Sequence, residues 1–162
     1  MKRNSNAVYL TRGALVAALY VVLTYVSALF GLASGAIQLR ISEVLCVLPV
    51  LLPEAILGLF VGCLISNLLT TAVIWDVIFG SLATLIGAIG AYLVGRCGKK
   101  FAALAPLPTV LANAIIVPFV LRFAYGAPEA LYFLIFTVGI GEVLSAWVLG
   151  LVLYSALRRI FK

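Results

Sequence analysis

Histidine is absent from this chain of 162 residues, and only 10% of its residues carry a charge. Without His the commonest metal ligand and the commonest general base are gone. The three cysteines, Cys46, Cys63 and Cys97, lie far apart with no C-x-x-C pair, so neither a disulfide framework nor a zinc site is expected. No Ser/His/Asp or Cys/His constellation can be assembled, and there is no nucleophile elbow or aspartate array. The run Gly95-Arg96-Cys97-Gly98-Lys99-Lys100 has glycine and lysine but not the G-x-x-x-x-G-K-[ST] spacing, nor a strand before it. The chain cannot hydrolyse ATP by itself. These absences exclude an enzyme, and no metal or cofactor is expected.

What is present is apolar. Hydrophobic residues make up 65% of the chain and the mean hydropathy is +1.28, whereas soluble domains are about 45–50% apolar and about 25% charged. So short a chain cannot bury that much apolar surface in water. The expectation is an all-α integral membrane protein, a compact single bundle occupying 1–162. Its six transmembrane helices are predicted at about 13–32, 42–52, 53–71, 77–95, 104–121 and 130–157. The start, Met1-Lys2-Arg3 and then apolar sequence, is expected to be an uncleaved first helix, because its apolar core exceeds a signal peptide's.

Six spans place both termini on one side. That side holds Lys2, Arg3, Arg12, Arg96, Lys99, Lys100, Arg158, Arg159 and Lys162, and the other holds Arg40 and Arg122. The asymmetry predicts cytoplasmic termini in a cell membrane and accounts for the basic excess without nucleic acid. The acids sort the other way. Glu54 falls at a cytoplasmic turn, while Glu43, Asp76, Glu129 and Glu142 fall in the outer or middle part of the bundle. Such outward carboxylates could attract a cation or a ligand rich in N–H donors; for Asp76 and Glu129 the alternative is that they are solvated caps of helix starts.

The second span is too short. Between Glu43 and Pro53 lie nine residues, about 13.5 Å of α-helix against a bilayer core of about 30 Å. Ser42 is expected to cap it partway into the membrane, with Gly35–Ile41 descending as extended backbone that alternates Ile37, Leu39 and Ile41 with Gln38, Arg40 and Ser42. Irregular backbone at that depth is tolerated where it lines a cavity. The alternative extends the helix back to Ala36 with Arg40 snorkelling outward. Glu142 falls near mid-depth of the sixth span on the face of Gly139, Ala146 and Gly150. An unpartnered buried carboxylate costs several kcal/mol (~2–7), so Glu142 either meets a ligand or bonds Asn113 or Arg40 within the bundle. A guanine-like edge with adjacent N1–H and N2–H donors would match it. Asn113, above Thr109 and Pro106, can donate and accept toward a heterocycle. Asn67 lies near the outer end of the third span, and Trp147 and Tyr132 could stack a flat ligand. The candidate substrate-binding residues are thus Gln38, Arg40, Glu43, Asn67, Asn113 and Glu142.

Small residues recur every four positions: Gly58, Gly62, Ser66 and Thr70 on the third span, and Gly87, Ala91 and Gly95 on the fourth. These are packing seams. Ala14-x-x-x-Ala18 on the first span is a small face that serves either internal packing or the approach of another helix.

The strings Ile37-Gln38-Leu39-Arg40-Ile41-Ser42-Glu43-Val44-Leu45 with Leu48-Pro49, Gly58 through Asn67, Asp76 through Thr84, Ala105-Pro106-Leu107-Pro108 with Asn113, and Gly141-Glu142-Val143 resemble the QueT family. That family comprises substrate-binding S components of energy-coupling factor (ECF) importers. The resemblance covers about residues 10–157. It implies six membrane helices, with a loop between helices 1 and 2 covering the pocket. It also implies capture of a queuosine precursor, a 7-deazaguanine such as 7-aminomethyl-7-deazaguanine or queuine. The implied partners are an ECF module of one transmembrane T subunit and two ATPase subunits, with Ala14 and Ala18 docking on the T subunit. An S component for another vitamin, or a standalone proton-coupled carrier centred on Glu142, remains the alternative.

Overall fold

The computed structural model describes residues 5–32, 39–71 and 73–160. The described residues form an all-α bundle. Helix α1 (Ser5–Leu29) is followed by a 3₁₀ helix (Ile41–Val50), then α2 (Ala55–Thr70) and α3 (Ile74–Arg96). A second 3₁₀ helix (Lys99–Leu104) leads into α4 (Leu107–Phe123). The last rod is continuous but changes pitch, from α5 (Leu131–Glu142) through a π-helix (Val143–Leu149) to α6 (Gly150–Leu157). Among the described residues four helices are long and apolar enough to cross a membrane: Asn6–Leu29, Ile74–Arg96, Lys100–Phe123 and Leu131–Leu157. Ile41–Val50 and Ala55–Thr70 are apolar but shorter. This corrects the expectation of six full spans.

Most boundaries move for identifiable reasons. Helix α1 starts at Ser5, eight residues before the predicted Gly13, because helix continues past the edge of an apolar run that only marks where lipid contact begins. Pro53 stays in the turn and α2 begins at Ala55. The predicted Ser42 cap does not form. Arg40 is the N-cap residue, with no side-chain cap bond, and the Ser42 hydroxyl instead accepts from Thr24 Oγ at 2.8 Å. Asp76 and Glu129 do not cap either, since α3 and α5 start after Val73 and Ala130 with no side-chain cap bond.

The short second helix is 3₁₀, not α. Its ten residues rise about 20 Å at ~2.0 Å each, farther than the predicted α-helix but still less than a bilayer core. Runs of 3₁₀ this long are uncommon because their hydrogen bonds are poorer. Packing compensates: Ser42, Glu43, Leu45, Cys46, Val47, Leu48 and Pro49 are all buried. This helix is the hub of the bundle, touching α1, α2, α3, the π-helix and α6. Around it Leu45, Cys46 and Leu48 join Val16, Tyr20, Ala55, Leu59, Cys63 and Ala88 in one core cluster.

The glycine seams bring the outer helices close. A Cβ on Gly58 would lie 2.5 Å from the Gly13 carbonyl oxygen, and one on Gly62 would lie 2.9 Å from that of Ala17. Only hydrogen fits at those crossings of α1 and α2. Gly87 faces Thr109 in the same way across α3 and α4, and Gly95 faces Val50. The outward faces are apolar, with Leu15, Val22, Leu57, Ile86, Ile115 and Phe136 exposed, as a lipid-facing surface requires.

Candidate functional site

One face of α1 carries Tyr20, Thr24 and Ser27, spaced by four and three residues, and all three are buried. That spacing aligns them toward the 3₁₀ helix. The Tyr20 hydroxyl donates to Glu43 Oε1, Thr24 donates to Ser42, and Ser27 Oγ accepts the Ile41 N–H at 2.9 Å. Cys46 Sγ donates to Glu43 Oε2 at 2.9 Å. Both oxygens of Glu43, itself 1% exposed, are therefore engaged by donors of the chain.

At the same end of the bundle Arg40 lies 3.7 Å from Asp76 Oδ2, with both side chains nearly buried. The Tyr125 hydroxyl, from the connection between α4 and α5, donates to the same oxygen at 3.0 Å. Asn67 Nδ2 donates to the Asp76 backbone carbonyl at 3.3 Å. Asp76 thus ties the segment before the 3₁₀ helix to the start of α3, where a solvated cap is expected from sequence. Burial and the adjacent Asp76 carboxylate push the Tyr125 hydroxyl up to about 12. The opposite end holds a second tie, Arg12 to Glu54 at 3.2 Å.

Deeper in the bundle, among the described residues, Thr109 Oγ1, Asn113 Nδ2 and Glu142 Oε2 are buried and make no close hydrogen bond. Thr109 and Asn113 stand one turn apart on α4, and Glu142 closes α5 where the rod turns into π-helix. Such π-segments concentrate at functional sites. The Asn113 amide stands beside the Glu142 carboxylate as its hydrogen-bonding neighbour, and the charges of Glu43 and Arg40 act on it. Thr109 lies at the α3–α4 crossing against Gly87, whereas Asn113 and Glu142 meet between α4 and α5.

Of the residues singled out in the sequence, Arg40, Glu43 and Asn67 are thus occupied by internal bonds, and Asn113 and Glu142 stand beside each other. Gln38 lies outside the described residues, as does most of the Gly35–Ile41 segment. Of the described part, Ile41 opens the 3₁₀ helix, while Leu39 and Arg40 are non-helical, with the Leu39 N–H anchored to the Leu32 carbonyl at 2.7 Å. Tyr132 is 79% exposed and points away from the bundle. Trp147 is half-buried in the π-helix. Ala14 and Ala18 are exposed, whereas Gly13 and Ala17 beside them meet α2. Tyr20 and Asp76 are the site-region residues that sequence reasoning missed. The alignment of Tyr20 with Thr24 and Ser27 was a usable signal for the first, but nothing local distinguishes Asp76 from a cap.

A groove of about 500 Å³ also opens between α3 and α4, lined by Trp75, Phe79, Ile115, Phe119 and Phe123. It is almost wholly apolar and contains none of the candidate polar residues. Among the described residues no three His, Cys, Asp or Glu side chains gather as a metal site.

A family model described as QueT transporter matches residues 10–159. The queuosine precursor transporter QueT of Lactococcus lactis subsp. cremoris (strain MG1363) is 42% identical over 89 residues, 54% of this chain and 52% of that protein. The match therefore spans about half the relative's length. No solved structure matches the chain.

Proposed function

The chain belongs to the QueT transporter family, and from that premise we propose that it is the substrate-binding S component of an ATP-driven ECF importer. Its substrate is a queuosine precursor, a 7-deazaguanine such as 7-aminomethyl-7-deazaguanine or queuine. It works with a transmembrane T subunit and two ATPase subunits. The name of the Lactococcus relative supports the substrate class.

The observation that carries this reading is the buried polar pair of Glu142 and Asn113, whose Oε2 and Nδ2 make no close hydrogen bond among the described residues. Leaving a buried polar group unpaired costs about 1–3 kcal/mol, more for a charge. A heterocycle with N–H donors and a carbonyl acceptor removes that cost when it binds, so the free energy withheld from folding becomes affinity. The two short helices complete a six-helix bundle crossing the membrane, with the 3₁₀ helix and the non-helical backbone before it shielded by protein. Both termini face the cytoplasm, where most of the Lys and Arg lie. The exposed pair Ala14 and Ala18 supplies a small face where a helix of the T subunit can approach closely.

Uptake of labelled 7-aminomethyl-7-deazaguanine by cells expressing the chain with and without the T and ATPase subunits tests the reading. Uptake only with the module is expected. Uptake by the chain alone would replace this reading with a proton-coupled carrier centred on Glu142. Absence of binding to any deazaguanine would leave an S component for another vitamin.

A further inference from the structure

Residue size changes along the contact between α3 and α4. A Cβ on Gly87 would lie 2.7 Å from the Thr109 Cα, and one on Gly90 would overlap Pro108, so the antiparallel helices touch closely at that level. Toward the start of α3 and the end of α4 small residues give way to rings. Trp75 stacks on Phe79 and Phe119 stacks on Phe123, each pair with centroids 6.0 Å apart. These rings line the apolar groove of about 500 Å³. Both helices are long and apolar enough to span a membrane, so the medium that meets the groove is the acyl-chain layer. A partner helix is about 10–12 Å across and cannot enter between two helices packed about 8–10 Å apart. An acyl chain can. At about 30 Å³ for each methylene, close to the share of one water, the groove holds roughly 16 of them.

A cation stands at the edge of this groove. Arg122 follows Phe119 by three residues and Ile115 by seven, which sets it beside the same face in the last turn of α4. It is exposed. One of its N–H groups donates to the Ala127 carbonyl at 2.6 Å, and among the described residues it has no carboxylate partner. Asp76, beside Trp75, is already held by Arg40 and Tyr125. We propose that the groove binds one anionic phospholipid, with an acyl chain between the two ring pairs and the phosphate on the Arg122 guanidinium. Lipid tails are as apolar as the groove, so burial alone selects no occupant. Selection falls to the headgroup, where one Arg favours an anionic lipid over a zwitterionic one by about fivefold.

The test uses the purified full-length chain with Trp147→Phe, which leaves Trp75 as its one tryptophan, in phosphatidylcholine vesicles. A small fraction of the lipid carries bromines on its acyl chains, as phosphatidylglycerol in one series and as phosphatidylcholine in the other, and quenching of Trp75 fluorescence is followed. Brominated phosphatidylglycerol is expected to quench at about a fifth of the mole fraction that brominated phosphatidylcholine requires. Adding Arg122→Gln should bring the two lipids level without abolishing quenching. Equal quenching by the two lipids without that substitution overturns the proposal, and so does a preference for phosphatidylglycerol that survives it. Shielding of Trp75 from both lipids overturns it as well, because the groove is then covered by a second copy of the chain. None of these outcomes bears on deazaguanine binding, which is measured separately.

Discussion

Replacing Asp76 with Asn removes the only charge that neutralises Arg40 at close range among the described residues, and the cost can be bounded from the structure. Unit charges 3.7 Å apart attract by about 4.5 kcal/mol at an effective dielectric of ~20. The Asn carbonyl keeps an acceptor for the Tyr125 hydroxyl, and the Asn67 bond goes to backbone and survives. What is lost is the counter-charge of a guanidinium whose side chain is only 11% exposed. Stranding one member of a buried pair costs about 3–5 kcal/mol. The long separation and some outward relaxation of Arg40 reduce this to about 2–4 kcal/mol. Arg40→Gln alone should cost a similar amount by stranding Asp76. The double variant should cost less than the sum of the two, with a coupling of about 1–3 kcal/mol. Reversible unfolding of the four proteins in one lipid or detergent system gives the cycle. Additive single effects below about 0.5 kcal/mol would show that the pair is a solvated surface contact, and the reasoning about this end of the bundle would fail.

Gly62→Ala places a Cβ 2.8 Å from the Tyr20 Cβ and 2.9 Å from the Ala17 carbonyl oxygen. Forcing α1 and α2 apart should lower stability by about 1–3 kcal/mol, and an unchanged unfolding curve would contradict the crossing. The Tyr125 hydroxyl is raised from an ordinary 10.0 to about 12 by burial and by Asp76, so the folded chain holds this proton more tightly than the unfolded one. That contribution is present below pH 10 and is lost as pH rises toward about 12. Alkaline unfolding should therefore be shallower in Tyr125→Phe than in wild type, and parallel curves would count against the contact. Introducing Trp at both Ala14 and Ala18 should leave binding of the deazaguanine intact and block uptake. If the pair of substitutions impairs binding as strongly as uptake, this face is not a docking surface.

Composition made the membrane environment legible, and the steps of four in Gly58-Gly62 and Gly87-Ala91 marked seams that the backbone crossings bear out. Helix-period reasoning also placed Glu142 and Asn113 on inward faces. It did not find the 3₁₀ winding of Ile41–Val50 or the π-helix after Glu142, because pitch there is set by tertiary packing and neither has a local sequence signal. The polar candidates were recognised by residue type, which does not tell a group satisfied within the chain from one left open. Glu43 and Glu142 look alike in sequence. What separates them is that Tyr20 and Cys46 close on both oxygens of Glu43, whereas Oε2 of Glu142 receives no close hydrogen bond among the described residues. Asp76 was misplaced for a related reason: its partners Arg40 and Tyr125 lie 36 and 49 positions away in the chain.

The most direct test of the account is a paired measurement on Glu142→Ala, with affinity for 7-aminomethyl-7-deazaguanine and unfolding stability determined on the same preparation. Loss of detectable binding is expected together with stability close to wild type, because Oε2 of Glu142 makes no close hydrogen bond among the described residues. Retained binding, or a loss of stability of about 2 kcal/mol or more as for a satisfied buried network, would place Glu142 in the scaffold and contradict the central claim.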